Sequence, residues 1–396
     1  MINSYLLLIA IAVIILIGYF SDALFKITRI PEILILMFIG IILVPLGHLI
    51  PLKYVDVLRD FVPLFGSIAL VMIMFDGGRK INIGTSVSAS GIGLLLGTLD
   101  IVLSMLSVAF LMRYVFSWPL IYGAILGTII GETTAVVIVP VATRVKIPGD
   151  LYSMAVTETT FNSVVDILIF YLLLVLVTGS TFVLSSYTKY VADYLSVAVV
   201  MGLVVGIIWL FVLNIFKSTK GYVATIGIAF LLYGVVYLLG GAAVVSIFIF
   251  AIIIGSYKTI GRHLNFKIDI HENEMNLVED ELEFLIRTFF FVFIGLIAII
   301  SVTYFLYALL ITLVLVVIRV IEIKVVVRKK EYHGFMMSLM PRGLTVAVLA
   351  SILLSLGGTY FNEIFYISFM IIIITNIISS ASISKAASAI EKKDLK

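Results

Sequence analysis

The 396 residues are 62% hydrophobic and 12% charged, where a soluble domain carries about 45–50% and about 25%; this chain cannot cover itself with polar surface and reads as an integral membrane protein. Cysteine is absent, which excludes disulfides, thiolate metal sites and cysteine nucleophiles. The net charge of +3 is uninformative as a total, whereas the placement of the charges is not.

A spanning helix takes about 20 mostly apolar residues. Thirteen segments meet that criterion, at roughly 4–21, 32–49, 63–78, 88–115, 119–142, 151–178, 191–216, 221–239, 241–257, 281–300, 302–326, 334–356 and 363–384. The first is too long for a signal-peptide core and lacks a basic leader and a small-residue cleavage site, so it is read as a retained span. The apolar runs are continuous rather than alternating, which argues against a membrane β-barrel. The expected fold is all-α and polytopic.

Lysine and arginine set the expected orientation. Alternate connections and the C-terminal tail hold 19 of them, and the opposite connections hold only Lys53, Arg59, Arg113 and Lys189. The N-terminus is therefore placed outside and the C-terminus in the cytoplasm of a cell-membrane protein. No soluble domain interrupts the spans. The longest polar connection, about 257–280, ends in Glu279-Asp280-Glu281 with Glu283. These acids read either as a solvated helix start favoured by the helix dipole or as a negative mouth that concentrates cations.

Polar interruptions recur at the fifth, sixth and twelfth spans, with milder ones in the eleventh and thirteenth. Interrupted segments in two halves point to inverted repeats meeting at a midplane site. Six spans, a linking span and six spans would make up the thirteen.

The sixth span holds Glu158, Asn162 and Asp166 at i, i+4 and i+8, hence on one face, with Thr159, Thr160 and Ser163 beside them. Carboxylates within hydrocarbon are costly and mark functional sites. Oxygen ligands suit a hard monovalent cation, and a carboxylate that exchanges a proton for that cation couples the two ions. A polar network gluing helices together is the plainer alternative. The fifth span carries Gly127-Thr128-Ile129-Ile130-Gly131-Glu132-Thr133-Thr134 and then Pro140, a composition that unwinds readily. Glu132 is thus a third intramembrane acid, or else a cap on a half-helix. Arg342, between Pro341 and Gly343, is placed to pair with a buried acid. Arg287 enters the tenth span, Arg319 is within reach of Glu322 one turn on, and Asp100 in the fourth span has no evident local partner. Asp76 reads as interfacial.

Several of these pieces resemble the NhaP/NHE-type branch of the monovalent cation:proton antiporters over nearly the whole chain. They are Ile30-Pro31-Glu32 with Gly40-Ile41-Ile42, Val139-Pro140 through Arg144-Val145 into Glu158, Phe161-Asn162, Arg287 with Phe291-Val292-Phe293-Ile294-Gly295, and Pro341-Arg342-Gly343. The resemblance implies thirteen helices with crossed, unwound segments, and a core that moves against a fixed dimerisation domain. It also implies a structural ion pair of Glu158 with Arg342, and it matches Asn162 to the family's asparagine. The expected scaffold is 1–87 (spans 1–3) with 221–301 (spans 8–10). The expected core is 88–180 (spans 4–6) with 302–384 (spans 11–13); 181–220 is a linking span and 385–396 a short cytoplasmic tail.

The departures are specific. The family's sixth-span Asn-Asp is Asn162-Ser163 here, and its fifth-span Thr-Asp is Thr133-Thr134. Acids stand nearby instead, at Glu132 and Asp166. The expected ion and proton site is therefore Asp166 and Glu132 with Thr133, Thr134, Asn162, Ser163 and Glu158, the Na⁺ resting on Asp166, Asn162, Ser163 and Thr133. The expected function is exchange of Na⁺, or alternatively K⁺ or Li⁺, for protons by a homodimer in the bilayer, with no cofactor and no nucleic acid. A membrane sensor or scaffold that kept the fold without transport is the alternative. His48, His263, His271 and His333 lack ligand-like spacing, and neither Gly-x-Ser-x-Gly nor a phosphate loop is present, so no catalytic residue is assigned.

Overall fold

A computed structural model of the chain describes residues 4–28, 30–47, 62–80, 91–134, 147–178, 184–216, 221–263 and 272–394. Pro140, Arg144, Val145, His48 and His271 lie outside them. The described residues form fifteen α-helices and no strand. In chain order these are α1 (Ser4–Thr28), α2 (Glu32–Ile41), α3 (Val62–Lys80), α4 (Gly91–Val115), α5 (Leu120–Ile129), α6 (Gly149–Thr178), α7 (Leu184–Phe216), α8 (Gly221–Leu238), α9 (Ala243–Gly255), α10 (Tyr257–His263), α11 (Glu272–Ile297), α12 (Val302–Val326), α13 (His333–Ser338), α14 (Leu344–Leu356) and α15 (Thr359–Asp394).

Each of the thirteen predicted segments holds a helix. Six helices are long and apolar enough to cross a membrane by length and composition, and shorter apolar helices accompany them. The differences from the sequence reading have local causes. The second segment passes from α2 into a π-helical turn, Ile42–Leu46, around Pro45, which cannot donate to an α-helical ladder. The twelfth divides into α13 and α14 at Leu339–Gly343. The sixth, expected to be interrupted, is one unbroken helix whose polar side chains bond across to neighbouring elements. The acidic run is not a helix start, because α11 begins at Glu272; Asp280 and Glu281 lie two turns inside it and are exposed. The expected tail continues α15 as far as Asp394.

The chain divides into two compact units, Met1–Gly66 with Ser88–Asp166 and Phe284–Lys396, and Ser67–Val87 with Ile167–Glu283. In the first, α4 packs closely on α5 and α12, and α15 on α12 and α14. In hydrocarbon the hydrophobic effect does not drive helices together, so close packing of small residues has to. Helix α5 shows this: Gly123, Gly127 and the following Gly131 fall at i, i+4 and i+8 against α4. A Cβ at Gly127 would lie 2.7 Å from Ser104 O and 2.8 Å from Met105 Cα. Helices α2 and α11 cross at Gly40 and Gly295, where a Cβ on either would strike the other's backbone. Arg287 Nη2 on α11 reaches Glu32 Oε2 on α2 at 3.1 Å. The α14–α15 turn is made by Gly357 and Gly358 at φ +73° and +105°, a region that only glycine enters cheaply.

In the second unit α7 packs along α9, with Gly202 against Ser246 O. Phe75 lies near the rings of Tyr222 and Phe250, and Trp209 Nε1 donates to Thr225 Oγ1 at 2.8 Å. Large apolar side chains along α1, α7, α8 and α12 are exposed, an extent that suits lipid rather than water.

Gly127→Val is expected to destabilise the α4–α5 contact by about 1–3 kcal/mol, the usual cost of overpacking, and more if the backbones must part. A fall in the midpoint of thermal unfolding in detergent checks this; an unchanged midpoint would contradict the close approach.

Candidate functional site

Two unwound stretches meet at the centre of the first unit. Helix α5 ends at Ile129, Gly131 N closes the last turn on Thr128 O at 2.9 Å, and residues 132–134 are non-helical. Helix α13 ends at Ser338, and the chain stays non-helical through Gly343 before α14 begins. Thr134 N donates to Pro341 O at 3.0 Å, joining one stretch to the other. Gly343 allows the approach, since a Cβ there would lie 2.6 Å from Thr134 Cβ.

Backbone freed by unwinding must find partners when no water is at hand. Helix α15 supplies them for one stretch: Arg342 N donates to Thr375 Oγ1 at 3.3 Å, and Asn376 Nδ2 donates to Arg342 O at 2.8 Å. For the other, Asn162 does so from α6. Its Oδ1 accepts from Thr133 N, and its Nδ2 faces both Gly97 O and Gly131 O, each at 3.3 Å. Asn162 thus clips α6 to α4 and to the unwound end of α5, a structural job beside the ligand role expected of it.

Asp166 is fully buried, and neither of its oxygens has a hydrogen-bond partner among the described residues. The charged groups that act on it are Glu132 and Arg342. Glu132 Oε1 accepts from Ser163 Oγ at 2.9 Å, while Glu132 Oε2 and Thr133 Oγ1 are buried without hydrogen-bond partners. Glu132 also interacts with Gly343 N and Thr345, the first groups of α14, where a half-helix N-terminus favours negative charge. The capping and site readings of Glu132 are therefore both represented in one carboxylate.

The ion pairs differ from the sequence reading. Glu158 Oε1 is paired with Arg319 Nη1 rather than with Arg342. Arg319 is 2% exposed and also reaches Glu322 Oε1 at 2.7 Å, Asp100 Oδ2 at 3.8 Å and, through Nε, Met336 O at 3.1 Å. Arg342 instead donates through Nη1 to the backbone oxygen of Glu132 at 2.7 Å and stands 3.8 Å from Asp100 Oδ2. The physical reason is that α12 packs on α4 and brings Arg319 in beside Glu158, while the guanidinium of Arg342 is taken by the freed carbonyl at Glu132. Asp100, without an evident partner in the sequence, faces both guanidiniums and the hydroxyl of Ser104 at 3.4 Å. Arg287 pairs with Glu32, and in the second unit Asp76 binds Lys80 at 2.5 Å on a partly exposed helix end.

Thr375 and Asn376 were not singled out from the sequence. Their signal was a polar pair directly after the run Ile371 to Ile374. Glu322 was noted only as a neighbour of Arg319.

Among the described residues the site holds five buried carboxyls (Asp100, Glu132, Glu158, Asp166 and Glu322) and two buried guanidiniums, Arg319 and Arg342. A guanidinium keeps its proton, so five carboxylates would carry three negative charges in excess. Such an excess in a desolvated interior costs several kcal/mol per ion and draws in protons or cations.

The sequence over residues 10–388 matches the family described as "Sodium/hydrogen exchanger, transmembrane". The fold is similar to that of the sodium proton antiporter MjNhaP1 from Methanocaldococcus jannaschii at pH 8, with a TM-score of 0.80 and 20% identity over 96% of this chain and 100% of that one. An electron-microscopy structure of the same antiporter gives a TM-score of 0.76 at 20% identity, over 98% of each chain. No curated protein sequence matches the chain. The crossing of two unwound stretches, the buried acids beside it and the match over nearly the whole length agree: this chain is a member of the sodium/hydrogen exchanger family.

Proposed function

We propose that the protein is a secondary antiporter that exchanges a monovalent cation, Na⁺ before K⁺ or Li⁺, for protons across the cell membrane by alternating access. The observation that carries this is the set of buried oxygens at the crossing without hydrogen-bond partners among the described residues: both of Asp166, Oε2 of Glu132 and Oγ1 of Thr133. These are hard oxygen donors, two of the groups are acids, and carbonyls at the end of half-helix α5 lie beside them, an arrangement that suits Na⁺ and H⁺. Proton and cation compete for one set of oxygens, so uptake of either expels the other. Asp166 is the principal carrier and Glu132 the second. Ser163 orients Glu132 through its hydroxyl, and Asn162 holds the frame.

The working unit is a homodimer in which residues 88–180 and 302–384 move against the remainder, with the N-terminus outside and the C-terminus in the cytoplasm. The sensor or scaffold reading draws on Thr134 and Ser163, which stand where the family resemblance places acids.

In proteoliposomes under a Na⁺ gradient, Asp166→Asn is expected to bring cation-driven proton movement down to the level of empty liposomes. Glu132→Gln is expected to raise the Na⁺ concentration for half-maximal rate about tenfold, equivalent to ~1.4 kcal/mol of lost binding. Wild-type exchange in both variants would sink the assignment, and a wild type that moves no protons with Na⁺, K⁺ or Li⁺ would favour the sensor.

Carrier and frame separate in a second comparison. Asn162→Ala takes from Thr133 N its acceptor and from Gly131 O its donor, each such loss costing about 1–3 kcal/mol, and removes a second contact to Gly97 O, which stays within the α4 ladder. Its unfolding midpoint is expected to drop well below that of Asp166→Asn, whose native side chain makes no hydrogen bond among the described residues. Equal midpoints would remove the distinction.

A further inference from the structure

Three carboxyls of the cluster converge on a single nitrogen. Arg319 Nη1 is paired with Glu158 Oε1, lies 2.7 Å from Glu322 Oε1 and 3.8 Å from Asp100 Oδ2. Asp100, Glu158 and Glu322 each bring an oxygen within 4.8 Å of the other two. That nitrogen has only two protons to donate and so cannot satisfy three carboxylates. The second oxygens of Glu158 and Glu322, and Oδ2 of Asp100, are buried with no hydrogen-bond partner among the described residues. Arg319 Nη2 is likewise buried without an acceptor.

The charged groups facing the three acids come from every element packed on them. Helix α12 gives Arg319 and Glu322, α4 gives Asp100, α6 gives Glu158, and the unwound stretch before α14 gives Arg342, 3.8 Å from Asp100 Oδ2. Helix α13 contributes a carbonyl, Met336 O, to Arg319 Nε. Three carboxylates against two guanidiniums leave one negative charge, and Arg342 is shared with Glu132 besides.

We infer that Asp100, Glu158 and Glu322 hold one proton in common, so that the Arg319 cluster is a proton-binding site separate from the cation ligands at Asp166 and Glu132. One carboxyl carries the proton and donates it to a neighbouring carboxylate oxygen. Two of the oxygens without partners are satisfied at once, and the two remaining charges balance the two guanidiniums. A purely structural ion-pair network would match acids to bases one for one, and this cluster has one acid too many.

The site is placed to be read at the crossing. Arg342 Nη1 stands between the backbone oxygen of Glu132, at 2.7 Å, and Asp100 Oδ2, at 3.8 Å. Loss of the shared proton adds a negative charge on the Asp100 side and draws Arg342 away from the Glu132 peptide. Cytoplasmic or membrane pH thereby acts on the cation ligands through one guanidinium. The shared proton is independent of whether Asp166 is the carrier.

Infrared pH-difference spectra of the full chain in detergent test it. The background is Glu132→Gln with Asp166→Asn, which removes any proton held at the cation ligands. A protonated-carboxyl C=O band is expected to persist in that background and to vanish at alkaline pH. Adding either Glu322→Gln or Asp100→Asn is expected to abolish it, since an amide reproduces the charge of the protonated acid. Because the folded chain holds a proton that the unfolded chain releases, stability falls as pH rises through that release. Each single amide should flatten this fall, and the double Asp100→Asn, Glu322→Gln variant, left with surplus positive charge, should be less stable than either single one. Absence of the band in the background, its persistence in the amide variants, or failure of both single variants to fold would overturn the inference. Transport is not part of the readout, so loss of exchange in the background leaves the test intact.

Discussion

A carboxylate or a bare peptide group in hydrocarbon has no water to turn to, and the centre of this protein is arranged around that constraint. Unwinding α5 after Ile129 and α13 after Ser338 frees backbone groups at depth, each worth about 1–3 kcal/mol if left unpaired. Thr134 N and Pro341 O satisfy each other, Asn162 takes up Thr133 N with Gly97 O and Gly131 O, and Asn376 takes up Arg342 O. Once those are settled, the buried side-chain atoms at the crossing without hydrogen-bond partners among the described residues are both oxygens of Asp166, Glu132 Oε2, the hydroxyls of Thr128 and Thr133, Arg342 Nε and Asn376 Oδ1. A bonded frame thus stands beside acid oxygens that it does not engage, and on the proposed reading those oxygens trade a proton for a cation.

The close packing that makes this frame rigid comes from residues with no polar chemistry. Glycines 97, 127 and 131 bring α4, α5 and α6 near enough for short side chains such as Asn162 to reach backbone on two neighbours. A Cβ at Gly97 would lie 2.9 Å from Glu158 O, so bulk there would push Glu158 and Asn162 together off their partners. Gly343 does the same at Thr134. Small residues thus set distances on which the electrostatics of Arg319 and Arg342 depend, because a charge pair in a low-dielectric interior changes steeply with separation.

Much of this was legible in the sequence. The helices were legible because a continuous apolar run of spanning length can satisfy its backbone in lipid only by coiling on itself, and Asp166, Glu132 and Arg342 stood out because a charge inside such a run is costly. The break at Pro341-Arg342-Gly343 was visible as punctuation, and so was the weakness of α5 beyond Gly127. Pairing was not legible. Glu158 was matched to Arg342, whereas Arg319 holds it; 161 residues separate Glu158 from Arg319, and no periodicity on one helix reports which face of another it meets. Thr375 and Asn376 were passed over for a related reason, since a polar pair in a long apolar helix looks the same whether it faces a helix neighbour or a broken backbone.

The relation between Glu132 and Ser163 bears on how the missing acids are to be understood. The family resemblance places a carboxylate at the position of Ser163, on α6, and here that position carries a hydroxyl. Glu132 Oε1 accepts from that hydroxyl at 2.9 Å, so a carboxylate still sits against this point of α6, although it now hangs from the unwound end of α5. Asp166 lies three residues further along α6, about one turn or roughly 4.5 Å of rise, and Glu132 acts on it electrically. The crossing thus holds buried acids at backbone positions other than those the family resemblance implies. A charge attached to an unwound segment is also held differently from one on a rigid helix. Its position follows Thr134 N on Pro341 O and Arg342 on the Glu132 carbonyl, so a rearrangement of the crossing moves the Glu132 carboxyl while Asp166 stays with α6. Alternating access needs a site whose ligands separate when the crossing shifts, and on the proposed reading two acids divided between a helix and an unwound stretch have that property.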